Sequence, residues 1–270
     1  MKTNISKLIS LSILIVVFSC SEDDDQSVQE PDSPIESIVY VAGLGFENSN
    51  FTAELWTDGL QTVLSNDNFN AEAIDMFIDG DDTYIAGYQT NNNDISVATI
   101  WKNGVPSTIT DGTRASSIST VFVLNNIIYA VGFEANQNGI NVAKLWENGV
   151  SSSLSDAVNE ASATGLHVQD SDIYVVGRAY NGLDFDAVLW KNNVRIDLAS
   201  SSATETAEDI FVSGSNVYIT IEQDREKLFL WENGTTTLIS DETISDGINP
   251  SSNDLFVSGS DLYGWSRLYN

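Results

Sequence analysis

The sequence predicts an all-β fold, a β-propeller of four-stranded antiparallel blades, on three observations. First, a tyrosine recurs at Tyr40, Tyr84, Tyr129, Tyr174, Tyr218 and Tyr263, at spacings of 44, 45, 45, 44 and 45 residues. Second, Trp56, Trp101, Trp146, Trp190 and Trp231 follow in the same rhythm, and Phe77, Phe122, His167, Phe211 and Phe256 precede each later tyrosine. A period of this length is the mark of one supersecondary unit copied in tandem. Third, each copy contains four short runs rich in β-branched and aromatic residues, separated by turn signals, which is the plan of a propeller blade.

Each element of the unit has a local reason. The first strand is a short apolar run such as Asp209-Ile210-Phe211-Val212, followed by a polar turn such as Ser213-Gly214-Ser215-Asn216. The second carries the tyrosine, as in Ile173-Tyr174-Val175-Val176-Gly177, and a polar loop of about ten residues is expected after it. The third ends in tryptophan, as in Ala143-Lys144-Leu145-Trp146. Lys102-Asn103-Gly104 and Glu147-Asn148-Gly149 then make hairpin turns, because Asn-Gly accepts positive φ. A weaker fourth strand follows, as in Thr236-Thr237-Leu238-Ile239. Five blades are favoured, with the run Leu255 to Val257 joining the N-terminal tyrosine strand by strand exchange; residues 262–270 then have no clear slot. Six blades, one incomplete, is the alternative. The repeated rings are expected to fill the space between blades, where burial of each contributes about 1.5–3 kcal/mol.

The propeller occupies residues 37–270. Residues 1–19 carry Lys2 and Lys7 and then a short apolar run, Leu8 to Phe18, too short for an ordinary spanning helix and organised like a secretory signal. Residues 20–36 hold the only cysteine, Cys20, then Ser21-Glu22-Asp23-Asp24-Asp25, Pro31 and Pro34, and are expected to form an acidic flexible tether. A lone cysteine forms no internal disulfide.

Composition narrows the function. The chain has 270 residues and a net charge of −28, and removing residues 1–19 takes away two lysines and no acids. Such a surface repels phosphate backbones, which argues against nucleic-acid partners. With the only histidine in a packing register and the only cysteine in the leader region, no Ser–His–Asp or Cys–His arrangement is proposed, and one histidine cannot make a His-rich metal site. His167 stands in a phenylalanine register and is expected to replace a packing ring. No catalytic residue is assigned, although carboxylates such as Asp94, Glu134 and Asp184 leave acid–base chemistry open. No cofactor or metal site is assigned; the acidic Asp79-Gly80-Asp81-Asp82 turn leaves calcium as a weak option, since no loop has the spacing of a strong calcium site.

The turns after strands one and three are tight, and the loops after strands two and four are longer and vary between copies. Loops on a rigid scaffold are the usual place for binding residues, so the long-loop face is the candidate functional face. Its candidate ligand-binding residues are Phe46, Asn48, Tyr88, Asn92, Asp94, Phe133, Asn136, Tyr180 and Asp184, an aromatic with Asn or Asp in each loop, which suits a sugar. The next loop, Ile221 to Lys227, is shorter and charged, so the copies are unequal.

Two resemblances add expectations. Val17-Phe18-Ser19-Cys20 resembles a bacterial lipobox, with Val in place of the commoner Leu and a bulky Phe18. The acidic run behind it resembles the export signal of surface lipoproteins of Bacteroidota-type bacteria. Together they imply lipidation at Cys20 and an outer-membrane, surface-exposed location, with the membrane held through the lipid. The repeat itself resembles the WD-type repeat, with Lys, Glu or Thr as the second signature residue, and the tandem tyrosine/WKNG repeats of such lipoproteins. This resemblance covers residues 37 to 270 and implies a propeller, whose functions range from enzyme to lectin to scaffold. The expected function is therefore non-catalytic recognition of an extracellular glycan or an envelope protein. A carboxylate glycoside hydrolase or lyase, or a structural subunit of an envelope complex, are the alternatives.

Overall fold

The structure is a computed structural model that describes residues 38–66, 68–198, 203–240, 251–258 and 261–267. The signal, Cys20 and tether expectations lie outside these residues. The described residues form 21 strands in six antiparallel sheets. The first sheet is β1 (Tyr40–Glu47), β2 (Asn50–Thr57) and β3 (Leu60–Val63). The second is β4 (Ala71–Asp79), β5 (Asp82–Thr90), β6 (Ser96–Lys102) and β7 (Val105–Thr108). The third is β8 (Ser116–Leu124), β9 (Ile127–Ala135), β10 (Asn141–Glu147) and β11 (Val150–Ser153). The fourth is β12 (Ala161–Gln169), β13 (Asp172–Tyr180), β14 (Phe185–Lys191) and β15 (Val194–Asp197). The fifth is β16 (Glu205–Ser213), β17 (Asn216–Gln223), β18 (Lys227–Glu232) and β19 (Thr235–Ser240), and the sixth is β20 (Ser251–Ser258) with β21 (Asp261–Arg267). Each four-stranded sheet is a simple meander and packs on the next, so the expected propeller blades are what forms.

The alternation of strand side chains explains why tyrosine and tryptophan keep step. Across the β5–β6 ladder, Ile85 lies opposite Trp101 and Tyr84 opposite Lys102. Residues directly opposite share a face and successive residues alternate. Trp101 therefore buries on one face of its blade and Tyr84 on the other. Trp101 packs with Ala42, Leu55 and Ile85, whereas Tyr84 packs with Ile118, Val121 and Trp146. The same handshake joins Tyr129 to Trp190 and Tyr174 to Trp231. Trp101, Trp146 and Trp190 are at most 1% exposed, so these rings are the cement between blades. The third ring series forms its own ladder. Phe77, Phe122, His167 and Phe211 follow one another at centroid separations of 4.9, 5.6 and 5.2 Å. His167 thus occupies a packing position, and burial pushes its imidazole down to about 4.

Every first strand carries a bulge at the same register, between Ala73 and Asp75, Ile118 and Thr120, Ala163 and Gly165, Ala207 and Asp209, and Ser252 and Asp254. The bulge drives a carbonyl toward the neighbouring strand. A Cβ on Gly132 or Gly177 would sit 2.1 Å from the carbonyl oxygen of Ser117 or Ser162, which is why glycine follows the tyrosine by three residues in these copies.

Two expectations are corrected. The favoured five-blade closure needs β20 beside β1, but β20 pairs with β21 instead. Phe256 faces Tyr263 as Phe77 faces Tyr84, so β21 fills the tyrosine-strand place and residues 261–267 have a slot. The result is six units, the first lacking its first strand and the last comprising two strands, with no ladder between first and last sheets among the described residues. The loops after the tyrosine strands are also shorter than the ten residues expected. In the first copy Asn48 and Ser49, at φ 50° and 75°, close a two-residue turn, and the later loops span 91–95, 136–140, 181–184 and 224–226. Phe46, Tyr88, Phe133 and Tyr180 are consequently strand residues.

Candidate binding site

The two ends of the blades differ in kind. At the tight-turn end, Lys102 pairs with Asp82 at 2.8 Å and lies over the Tyr84 ring at 4.8 Å, while Asn103 Oδ1 accepts the Thr83 N–H at 2.8 Å. The fourth sheet repeats this with Lys191, Asp172, Tyr174 and Asn192. Lys102 and Asn103 hold the Asp82 carboxyl below the usual range. These groups are mutually satisfied, and among the described residues no group of three His, Cys, Asp or Glu side chains could hold a metal ion.

At the opposite end, one asparagine closes each middle loop. Asn91 Oδ1 accepts the N–H of Asn93 at 2.9 Å and of Ile95 at 3.3 Å, and its amide donates to the Gly112 carbonyl at 2.8 Å. Asn136 repeats this with Asn138, Ile140 and Ala157 at 2.8, 3.1 and 2.9 Å. Asn181 Oδ1 accepts from Leu183 and Asp184. Asn136 thus fastens its loop to the next one. The other predicted residues are distributed one copy at a time. Phe46 is exposed and packs edge-on against Phe51 at 5.4 Å, beside Asn48 in the turn. Tyr88 is half-buried, and burial together with the Glu72 carboxylate pushes its hydroxyl up. Asn92 and Asp94 are exposed on the 91–95 loop, Asp94 at φ 62°. Phe133 is partly buried on β9, and its neighbour Glu134 is engaged by Arg114 and Lys144 at 3.4 and 3.6 Å. Tyr180 packs edge-on against Phe185 at 5.4 Å, and Asp184 lies in the Asn181 turn. The nine residues thus fall on four hairpins of four different sheets, Phe46 with Asn48, Tyr88 with Asn92 and Asp94, Phe133 with Asn136, and Tyr180 with Asp184.

A cleft of about 450 Å³ opens between the fourth and fifth sheets at this same end. Ser162, Thr164, Arg178 and Phe185 line it from the fourth sheet. Thr204, Thr206, Glu208, Glu222, Asp224 and Arg225 line it from the fifth. Arg178 lies over the Phe185 ring with its guanidinium carbon 4.6 Å from the centroid. Asp224 Oδ1 accepts the Thr204 N–H at 3.0 Å. Glu208 is the bulge residue of β16, and burial aided by the charge of Glu222 pushes its carboxyl up to about 7. Burial also raises Glu222, against the opposing pull of Arg225 and Arg178. No hydrogen bond or ion pair to Glu208 occurs among the described residues. An unpaired, partly buried carboxyl costs stability when ionised, and its surroundings make it hold its proton to a higher pH. At neutral pH the cleft therefore offers both hydrogen-bond donors and acceptors around one aromatic ring.

None of the nine predicted ligand residues lines this cleft, although Tyr180 braces Phe185 at its rim. The signal that marks the cleft is departure from the repeat. Four residues after the tyrosine stand Tyr88, Phe133, then Arg178 and Glu222; at the bulge stand Ile74, Ser119, Thr164, then Glu208.

No family model and no curated protein matches the chain. Among solved structures, it is similar to a prolyl endopeptidase at 13% identity and a TM-score of 0.49, covering 83% of this chain and 38% of that one. It is similar to a thermostable family-43 glycoside hydrolase at 11% identity and 0.44, covering 77% and 91%. It is also similar to dipeptidyl peptidase 4 of Porphyromonas gingivalis at 10% and 0.41, covering 81% and 38%. The chain thus spans about two fifths of the two peptidases.

Proposed function

We propose that the protein is a surface-anchored binding propeller that recognises an extracellular glycan in the cleft between the fourth and fifth sheets. One observation carries the reading: at the loop end of a rigid blade stack, hydroxyls, guanidiniums and carboxyls converge on a cleft of sugar size beside an aromatic ring. Sugars present hydroxyls that both donate and accept, and the cleft supplies partners for both roles. Attachment through lipid at Cys20 keeps the propeller at the membrane while the acidic tether holds it clear.

The test is binding of the full-length protein to a glycan array, repeated with Thr206→Trp, which adds a large ring at a residue lining the cleft, with a thermal melt to check folding. Binding lost in the variant supports the reading, and unchanged binding removes the cleft from it. For the anchor, Cys20→Ser is expected to release the protein from the membrane fraction; full retention would contradict lipidation.

A second reading, glycoside hydrolysis, is favoured by a specific pair. Glu208 and Glu222 line one cleft, and burial with the Glu222 charge pushes the Glu208 carboxyl up to about 7, the direction a general acid beside a second carboxyl needs. Reducing-end release from a bound glycan that disappears in Glu208→Gln would establish it, and bound glycan recovered intact would exclude it.

A further inference from the structure

Resting on the glycan reading, we propose that the cleft selects saccharides bearing a carboxylate, of the uronic-acid class, with Arg178 as the residue that grips it. Basic side chains are scarce in this chain, 11 against 39 acidic ones. Lys102, Lys144, Lys191, Arg114 and Arg195 each hold an ion pair. Arg178, Arg225 and Lys227 hold none among the described residues, and of these Arg178 and Arg225 line the one cleft. Two guanidiniums without an ion pair, gathered in one cleft, leave hydrogen-bond donors and positive charge for an anionic group to meet.

The geometry of Arg178 fits that use. Its guanidinium is laid over the Phe185 ring at 4.6 Å, and Phe185 is held edge-on by Tyr180 at 5.4 Å. The cation–π contact holds the guanidinium at the cleft, and no hydrogen bond or ion pair occupies its N–H edge among the described residues. A planar carboxylate takes two parallel hydrogen bonds from that edge, which neither a hydroxyl nor an ester reproduces. The acidic groups of the cleft offset this only in part. Asp224 accepts the Thr204 N–H and keeps its charge, Glu222 lies in the field of both arginines, and Glu208, pushed up to about 7, is mostly protonated at pH 6.5. A protonated Glu208 is itself a donor, and Ser162 and Thr206, which line the same cleft, carry hydroxyls able to pair with those of a sugar. The register of Arg178 carries aromatics in the two preceding copies, Tyr88 and Phe133, so packing does not call for an arginine there.

The experiment titrates the full-length protein at pH 6.5 with galacturonate, glucuronate and mannuronate oligosaccharides, each beside its carboxyl-reduced counterpart. The expected result is that at least one acid binds tenfold or more tightly than its reduced form. Arg178→Lys, which keeps the charge but not the fork, should lose most of that preference while leaving the reduced sugar unaffected; a thermal melt checks folding. The paired sugars decide the matter even if the variant fails to fold. Equal or tighter binding of the reduced forms would overturn the inference and leave the glycan reading standing. Binding to no carbohydrate would remove both. Binding confined to peptides with a free C-terminal carboxylate would overturn the inference and replace glycan by protein as the ligand.

Discussion

Replacing Glu208 by Gln separates the demands of folding from those of the site. The Glu208 carboxyl is held at about 7 in the folded chain, against an ordinary value of 4.5, by burial and by the Glu222 charge. Below about pH 4.5 the group is protonated in both folded and unfolded chains and costs nothing. Between 4.5 and 7 the folded chain keeps a proton that the unfolded chain releases, so stability falls as pH rises. Above 7 the loss is complete, and the displacement converts to about 3 kcal/mol; screening in an open cleft brings it nearer 2. Gln keeps the shape and removes the titration. Urea unfolding of the two proteins is therefore expected to agree near pH 4 and to favour Glu208→Gln by about 2–3 kcal/mol at pH 8. In a heat scan this is a gain of about 5–10 °C. A variant less stable at pH 8, or a difference that does not change with pH, would refute the reasoning.

His167→Phe should act on the opposite side of the pH scale. The imidazole titrates at about 4 in the fold and near 6.5 when unfolded, so the native histidine loses stability as pH falls from 6.5 towards 4; the variant should gain more at pH 5 than at pH 8, read by urea midpoints. Gly132→Ala places a Cβ 2.1 Å from the Ser117 carbonyl oxygen and is expected to cost about 3 kcal/mol, measured by denaturant unfolding. Asn103→Ala removes the acceptor for the Thr83 N–H at a residue with φ of 51°, and a loss of about 1–2 kcal/mol is expected without effect on ligand binding at the other end.

The blades were legible because their signals repeat. Trp101 and Tyr84 stand on opposite faces by strand parity alone, and His167 in a phenylalanine register announced a packing ring. Ring closure was not legible, because the pattern at Phe256 is satisfied equally by pairing with β1 or with Tyr263 on β21. The loops were overestimated because polar strand ends such as Glu47 and Gln89 read as loop, while Asn48-Ser49 and Asn91 close the hairpins in few residues. The cleft was missed for a different reason. Attention to shared positions selects Tyr88 and Phe133, whereas the site is made of exceptions, Arg178 from one copy and Glu208 and Glu222 from the next. They lie some 30–44 positions apart and meet through blade stacking, which no local window contains.

Hydrogen exchange of the full-length protein, with and without the tightest glycan from the array, tests the central claim most directly. Slowed exchange confined to the 178–185 hairpin and to the 204–208 and 222–226 segments is the predicted footprint. Protection at the tight-turn end around 80–83 and 102–104, or spread over hairpins of other blades with none at the cleft, would contradict it.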